Sequence, residues 1–322
     1  MKARGFKVLL LAGLAVLSGS CAMNHVHERE EVYIRFSIST HLKSSSETGI
    51  STLDLLVFLP DGALGVYERV SGSEVASKVL AGTPLNWYLV ANAPEGSLSM
   101  IEDERDFLAK LSRLGDSDGF VMRASGTQVF LHDDTVYAEL VRLACKVTLE
   151  SLAPLFLADS YEGCDVRVTR ISLINVVGTC PYSMIPHAGE WYNMLGMDDE
   201  LPTGVRKLID MKLDIPLTAS GLEGPWSLYC MPNPVDNGVH SGLEPSWSPR
   251  NTRLVLELDI DGVKSWYPMD LPAMKCNHEY IFKEVRLLGE GSGHPDIPVA
   301  RSGVSFKIDV DPWSAESKDV CF

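Results

Sequence analysis

The sequence predicts an all-β protein: two antiparallel β-sandwich domains in tandem, with at most one or two short helices. Three observations predict it. Apolar residues recur mainly at period two, as in Val32, Ile34, Phe36 and Ile38, the spacing of a strand with one face buried. Asp61-Gly62 and Asp261-Gly262 stand between pairs of such runs, and Asp-Gly suits the positive backbone angles of a tight hairpin. Only residues 102–114 space their apolar side chains, Phe107, Leu108, Leu111 and Leu114, near the period of a helix. Helices are too few and connections too short for parallel crossovers.

The chain opens on Lys2, Arg4 and Lys7, then apolar residues 8–17, then Ser18, Gly19, Ser20 and Cys21. That order is a secretory signal peptide. A cysteine directly after small residues reads as a lipoprotein cleavage site, so residues 1–21 form a lipoprotein signal and Cys21 is the lipidation site. Ser18 stands where a lipoprotein box usually carries an aliphatic residue, with Leu17 one position further back. The apolar run is about half of the ~20 residues that a membrane span needs.

Strands follow at residues 32–38, 53–59, 66–70 and 86–91. The second is almost continuously apolar, as for a strand buried on both faces. After the helix, strands resume at 120–123 and in a long run, 136–149, broken by a bulge. Within that run Leu143, Cys145, Val147 and Leu149 share one face, which makes Cys145 a buried small hydrophobe. Residues 151–163 break the alternation and mark the changeover between an N-terminal domain, 22–155, and a C-terminal domain, 156–322. The second domain is read as strands at 166–177, 213–217, 226–231, 252–260, 263–267, 279–288 and 304–310.

Composition excludes some functions. Net charge is −15, and loss of the three basic residues near the start leaves 25 basic against 43 acidic side chains. Such a polyanion is repelled by phosphate backbones, so no nucleic acid partner is expected. No G-x-S-x-G elbow, P-loop, G-x-G-x-x-G, HExxH or CxxC is present, so no catalytic site, cofactor or metal is expected and the chain does not read as an enzyme. His25 and His27 fall in a tether, His132 and His294 in turns. Asp116 and Asp118 begin like a calcium loop, but Gly119 comes too early. Trp226, Trp247, Trp266 and Trp313 suit either a sugar-stacking platform or core packing, and strand spacing favours the core. Cys164 and Cys180 flank a strand and could approach each other.

With these elements in place, the sequence resembles the fimbrillins of Bacteroidales, the type V pilin family. The likeness runs through residues 50–58 into Pro60-Asp61-Gly62, through 87–94 and 140–147, and then through 280–288, 289–299, 304–310 and Trp313. The resemblance implies two transthyretin-like sandwiches and a structural subunit (stalk, tip or anchor) of a surface fimbria. Such subunits are exported as lipoproteins to the cell outer membrane, held there by a lipid anchor such as palmitate. An arginine-specific protease removes the tether with the first strand, and the next subunit donates a C-terminal strand into the opened groove. Carried onto this chain, Val32, Ile34, Phe36 and Ile38 belong to the removable strand. Val304, Phe306, Ile308 and Val310 belong to the donor strand, and Arg29 and Arg35 are the candidate processing sites. The implied partners are other fimbrial subunits and a receptor on a host or bacterial surface.

One departure stands out. No arginine occurs between Arg35 and Arg69, and Lys43 is the basic residue that follows the first strand. An unprocessed, lipid-held subunit would suit an anchor. The competing reading is a surface lipoprotein that binds glycan or a host ligand through a sandwich face.

Overall fold

The computed structural model describes residues 30–38, 47, 49–117, 119–157, 161–186, 190–192, 209–235, 251–295, 297, 299 and 303–313. Cys21, His25, His27, Arg29, Lys43, Asp118 and Trp247 lie outside them, as does the chain beyond Trp313.

The first half contains β1 (Glu31–Ile38), β2 (Thr52–Phe58), β3 (Leu64–Ser71), β4 (Glu74–Leu80) and β5 (Pro84–Ala91). After these come helix α1 (Glu104–Ala109), β6 (Leu111–Arg113), β7 (Met122–Val129), β8 (Asp134–Ala138) and β9 (Val141–Arg142). Five strands form one sheet in the order β3-β2-β5-β7-β9, and three form a second in the order β4-β1-β8. The two sheets enclose one apolar core. Strand β2 is buried on both faces, as its continuous apolar character predicts: Leu53, Leu55 and Val57 enter this core, while Leu56 and Phe58 face the other way.

The second half contains β10 (Cys145–Pro154), β11 (Val166–Ile174), β12 (Val176–Val177), β13 (Thr179–Pro181), β14 (Trp191–Tyr192) and β15 (Asp210–Pro216). It ends with β16 (Leu222–Cys230), β17 (Arg253–Ile260), β18 (Val263–Asp270), β19 (His278–Leu287) and β20 (Val304–Pro312). Its two main sheets run β16-β10-β19-β20 and β15-β11-β17-β18. Asp261 (φ 50°) and Gly262 (φ 84°) make the tight turn between β17 and β18, the geometry expected of Asp-Gly.

The all-β sandwich architecture is as the sequence predicts, but four features differ. Pairing is not wholly antiparallel: β1 runs parallel to β8, and β10 runs parallel to β19. No helix is needed, because each parallel pair is joined through the strands of the opposing sheet. The changeover also falls earlier than residue 155. Cys145–Pro154 pairs with β16 and β19 of the second half, and the ladder between β7 and β9 ends at Arg142. Residues 136–149 accordingly form three strands, and Leu143 turns into a different cluster from Cys145, Val147 and Leu149. Helix α1 is only six residues long. Asp103 caps it by accepting from the Asp106 N–H at 2.8 Å, and Leu111–Arg113 is taken instead as a strand against β13. Strand β4 carries Val75 and Val79 inward with Ser77 between them, a polar interruption that hides its period of two.

A third cluster joins the halves. Leu56, Phe58, Val90 and Phe107 from the first half pack with Val177, Cys180, Tyr182, Trp191 and Met231 from the second. The Phe107 and Tyr182 rings stack at 5.3 Å. With β6 and β13 hydrogen-bonded across it, this joint is a packed core rather than a hinge.

Candidate functional site

Strand β1 occupies the middle of its three-stranded sheet. It pairs with β4 from Glu31 to Ser37 and with β8 from Ile34 to Ile38. Alternation sends Val32, Ile34, Phe36 and Ile38 inward, and all four are buried. Phe36 lies against Trp87, with ring centroids 5.4 Å apart, and against Phe130 at 6.5 Å. Outward polar contacts are few. The Tyr33 N–H donates to Asp133 Oδ1 at 2.8 Å and the Ser37 hydroxyl to Glu74 Oε1 at 3.1 Å. Burial of four such side chains is worth about 6–12 kcal/mol. The seat is specific as well as deep: Gly126, opposite Trp87 on β7, has no room for a side chain, since a Cβ there would lie 2.5 Å from Trp87 Cζ2.

Withdrawing β1 would leave the facing edges of β4 and β8 unpaired around an apolar trough. Buried backbone groups and apolar walls of this kind take up another extended segment with alternating apolar residues. Arg35 lies at the centre of β1. Its side chain is exposed, but it is in register with Ala76 on one side and Thr135 on the other.

Strand β20 is the opposite case. Among the described residues it is an edge strand, paired with β19 on one side. Val304 is buried and Ile308 packs on the second core, whereas Phe306 is 37% and Val310 45% exposed. Phe306 touches the sheet through Phe282, at 5.6 Å between rings. Asp309 bridges Lys283 at 2.7 Å and Lys307 at 2.8 Å, and these two lysines hold its carboxyl down at about 2.

The chain after β20 turns inward. Trp313 is buried, its Nε1–H donates to Glu47 Oε2 at 3.1 Å, and the Arg142 guanidinium lies over its ring at 4.4 Å. Glu47 belongs to the segment that links β1 to β2. It also accepts from the Tyr229 hydroxyl at 2.6 Å and pairs with Lys146 at 3.0 Å. Burial pushes the Glu47 carboxyl up, but the hydrogen bonds from Tyr229, Lys146 and Trp313 outweigh it and hold the group below its ordinary value. Arg142 Nη1 donates to Asn277 Oδ1 and to the Trp313 carbonyl, both at 3.0 Å. Sequence reasoning missed Glu47 and Arg142, whose partners stand as far as 266 positions away.

Other candidates do not converge. Trp226 and Trp266 sit on β16 and β18, in different sheets, and Trp313 is in the joint, so these three form no common platform. Among the described residues no three His, Cys, Asp or Glu side chains gather as metal ligands. Cys180 does not meet Cys164: its sulfur lies 3.7 Å from that of Cys276.

Comparison with solved structures bears on this architecture. A candidate cell adhesion protein from Bacteroides eggerthii superposes with a TM-score of 0.64 at 16% identity, over 88% of this chain and 96% of that one. A fimbrilin (FimA) of Porphyromonas gingivalis W83 gives 0.58 at 11% identity, over 88% and 97%. The tip fimbrial protein Mfa3 of Porphyromonas gingivalis gives 0.54 at 15% identity, over 88% and 100%. The chain thus has the tandem-sandwich fold of these fimbrial and adhesion proteins. No family model and no curated protein sequence matches it.

Proposed function

We propose that the chain is a non-enzymatic structural subunit of a cell-surface fimbria, exported as a lipoprotein on Cys21 and assembled by strand exchange. The observation that carries this reading is the central seat of β1, with Val32, Ile34, Phe36 and Ile38 filling a groove lined on both sides by strands. The fold shared with a fimbrilin and a tip fimbrial protein supports it. On this reading β1 is the removable strand, and β20, with Val304, Phe306, Ile308 and Val310, is the donor. Both carry four apolar residues at alternate positions over seven residues.

The pairing bears on where processing would act. A protease needs an extended, unpaired backbone, and Arg35 is paired on both sides. A cut at Arg29 would leave β1 in place. A cut beyond β1, where Lys43 stands, would release the whole strand, but only a protease less selective than an arginine-specific one would make it. Limited trypsin treatment, N-terminal sequencing and negative-stain microscopy test this together. Trimmed protein that has lost β1 should form filaments, while untrimmed protein and protein cut only at Arg29 should stay monomeric. Trimmed protein that remains monomeric at high concentration would refute the mechanism.

A further inference from the structure

We propose that Cys180 and Cys276 form a modification site, a disulfide that closes in the folded protein and fixes β13, the strand of the second half that pairs with the first, to the turn before β19. The residues are 96 positions apart, yet their sulfurs lie 3.7 Å from each other. A disulfide needs about 2.05 Å, so about 1.7 Å of closure is required, within reach of side-chain rotation at the half-buried Cys276. Cys180 is on β13, the strand paired with β6 of the first half. Cys276 is in the turn leading into β19, where the Asn277 N–H donates to the Ala144 carbonyl and the Trp313 N–H to the Asn277 carbonyl. The bond would tie the β6–β13 bridge to the point where β9, β10 and the end of β20 meet.

Among the described residues, Cys145 and Cys230 also hydrogen-bond through their thiols, but both are fully buried and out of reach of an oxidant. Cys145 and Cys230 are register partners on β10 and β16, and the Cys145 thiol donates to the Lys275 carbonyl at 3.0 Å. Cys164 shares a hydrogen bond with Asp261. Between the proposed partners the roles are unequal. The hydrogen bond from Cys180 holds the Cys276 thiol below its ordinary value; burial opposes this, and the Arg123 guanidinium assists. Cys180 is raised by the same hydrogen bond and by burial. Cys276, the more exposed of the two, is the thiol an oxidant reaches first, and the buried Cys180 resolves the mixed disulfide.

The step balances with a small or protein-borne disulfide as oxidant. Cys276 attacks one sulfur of that disulfide, breaking its S–S bond and releasing one thiolate. Cys180 then loses its proton and attacks the Cys276 sulfur, releasing the second thiol. Two electrons pass to the oxidant. The chemistry is independent of the fimbrial reading; only its occurrence in an oxidising compartment rests on export.

The test uses the native full chain and oxidised glutathione, followed by a maleimide quench, non-reducing digestion and peptide mass mapping. The expected product is a linked peptide pair carrying Cys180 and Cys276, reversed by dithiothreitol. The melting temperature should rise by on the order of 5–10 °C, from closing a loop of about a hundred residues. Cys180→Ser should stop at a glutathione adduct on Cys276. If that variant does not fold, the wild-type map decides alone. Recovery of both residues as maleimide adducts, or linkage of either to Cys145, Cys164 or Cys230, overturns the proposal. A missing link with filaments intact would sink the staple alone, and a link without filaments would sink only the fimbrial reading.

Discussion

On the proposed strand exchange, Phe306→Asp separates what β20 does at home from what it would do in a neighbour. In the isolated subunit Phe306 is 37% exposed and leans on Phe282. Full burial of a phenylalanine is worth about 1.5–3 kcal/mol, so losing the remaining contact costs the monomer about 1–2 kcal/mol. In the groove vacated by β1 the same position meets walls where Ile34 and Phe36 are fully buried. There the substitution forfeits the whole ring and also strands a carboxylate among apolar groups, a cost of several kcal/mol. A difference of about 4 kcal/mol weakens strand donation roughly a thousandfold. Light scattering and negative-stain microscopy of trimmed protein would read this as a rise in the concentration needed for filaments of at least a hundredfold, while the monomer melts only a few degrees lower. The groove of the variant is intact, so added at low ratio to wild-type protein it should accept a strand, fail to pass one on, and shorten filaments. Trimmed Phe306→Asp protein that assembles at wild-type concentration would refute the reasoning.

Loss of β1 should also be visible in one tryptophan of the six. Trp87 is buried against Phe36, so trimming should shift its emission to the red and Trp87→Phe should abolish the shift; an unchanged spectrum would mean the strand had not left its seat. Gly126→Ala should destabilise the protein by about 1–3 kcal/mol, because its Cβ collides with the Trp87 ring. Gly293→Ala, with open space around it, is the control in urea titrations. Glu47 sets an acid limb. Its folded value lies below 4.5, so its contribution is complete above 4.5 and is lost as pH falls through the folded value. Glu47→Gln should lower the melting temperature at pH 7 and flatten its fall below pH 4.5. Asp54 acts in the opposite sense. Burial outweighs Tyr67 and Arg69 and holds its carboxyl above 3.8, so protonation there relieves a cost, and Asp54→Asn should steepen the acid limb that remains.

Much of the fold was legible because local pattern and tertiary role coincide. Residues 32–38 alternate without interruption and are central in their sheet, and residues 53–59 are apolar throughout and covered on both faces. Asp261-Gly262 needs no distant partner to set its turn. Reading failed where pairing is decided by something far away. Leu111 and Leu114 keep helical spacing, but hydrogen bonds from β13 win over the propensity of so short a segment. Ser77 hides β4 because it breaks the apolar alternation at the one inward position that faces Ile34 across the pair. The change of sheet within 136–149 is hidden because that run looks like one continuous strand, and only the packing shows Leu143 and Cys145 entering different cores. Of the candidate site, the two strands could be read from alternation, but Glu47 could not. A single acid in a polar stretch carries no pattern.

That acid links the two strands the proposed mechanism requires. Glu47 lies on the connection that follows β1, and its carboxylate holds Trp313, the residue that follows β20. Arg142, the last paired residue of the first half, covers the same indole and bonds the Trp313 carbonyl. Donation of β20 as far as its last residue therefore requires Trp313 to leave a pocket built jointly by the β1–β2 connection and by the joint. The half-buried Glu47 and the buried Arg142 stay behind with one partner fewer. The two ends of the exchange are thus not independent: shortening the chain before Glu47 loosens the neighbour of the residue that retains β20. In an untrimmed subunit β1 is held along both edges and by four buried side chains, whereas β20 is held along one edge by β19, by Val304 and Ile308 on the core and by the Trp313 indole that follows it; on the proposed mechanism that inequality makes β1 the harder strand to withdraw.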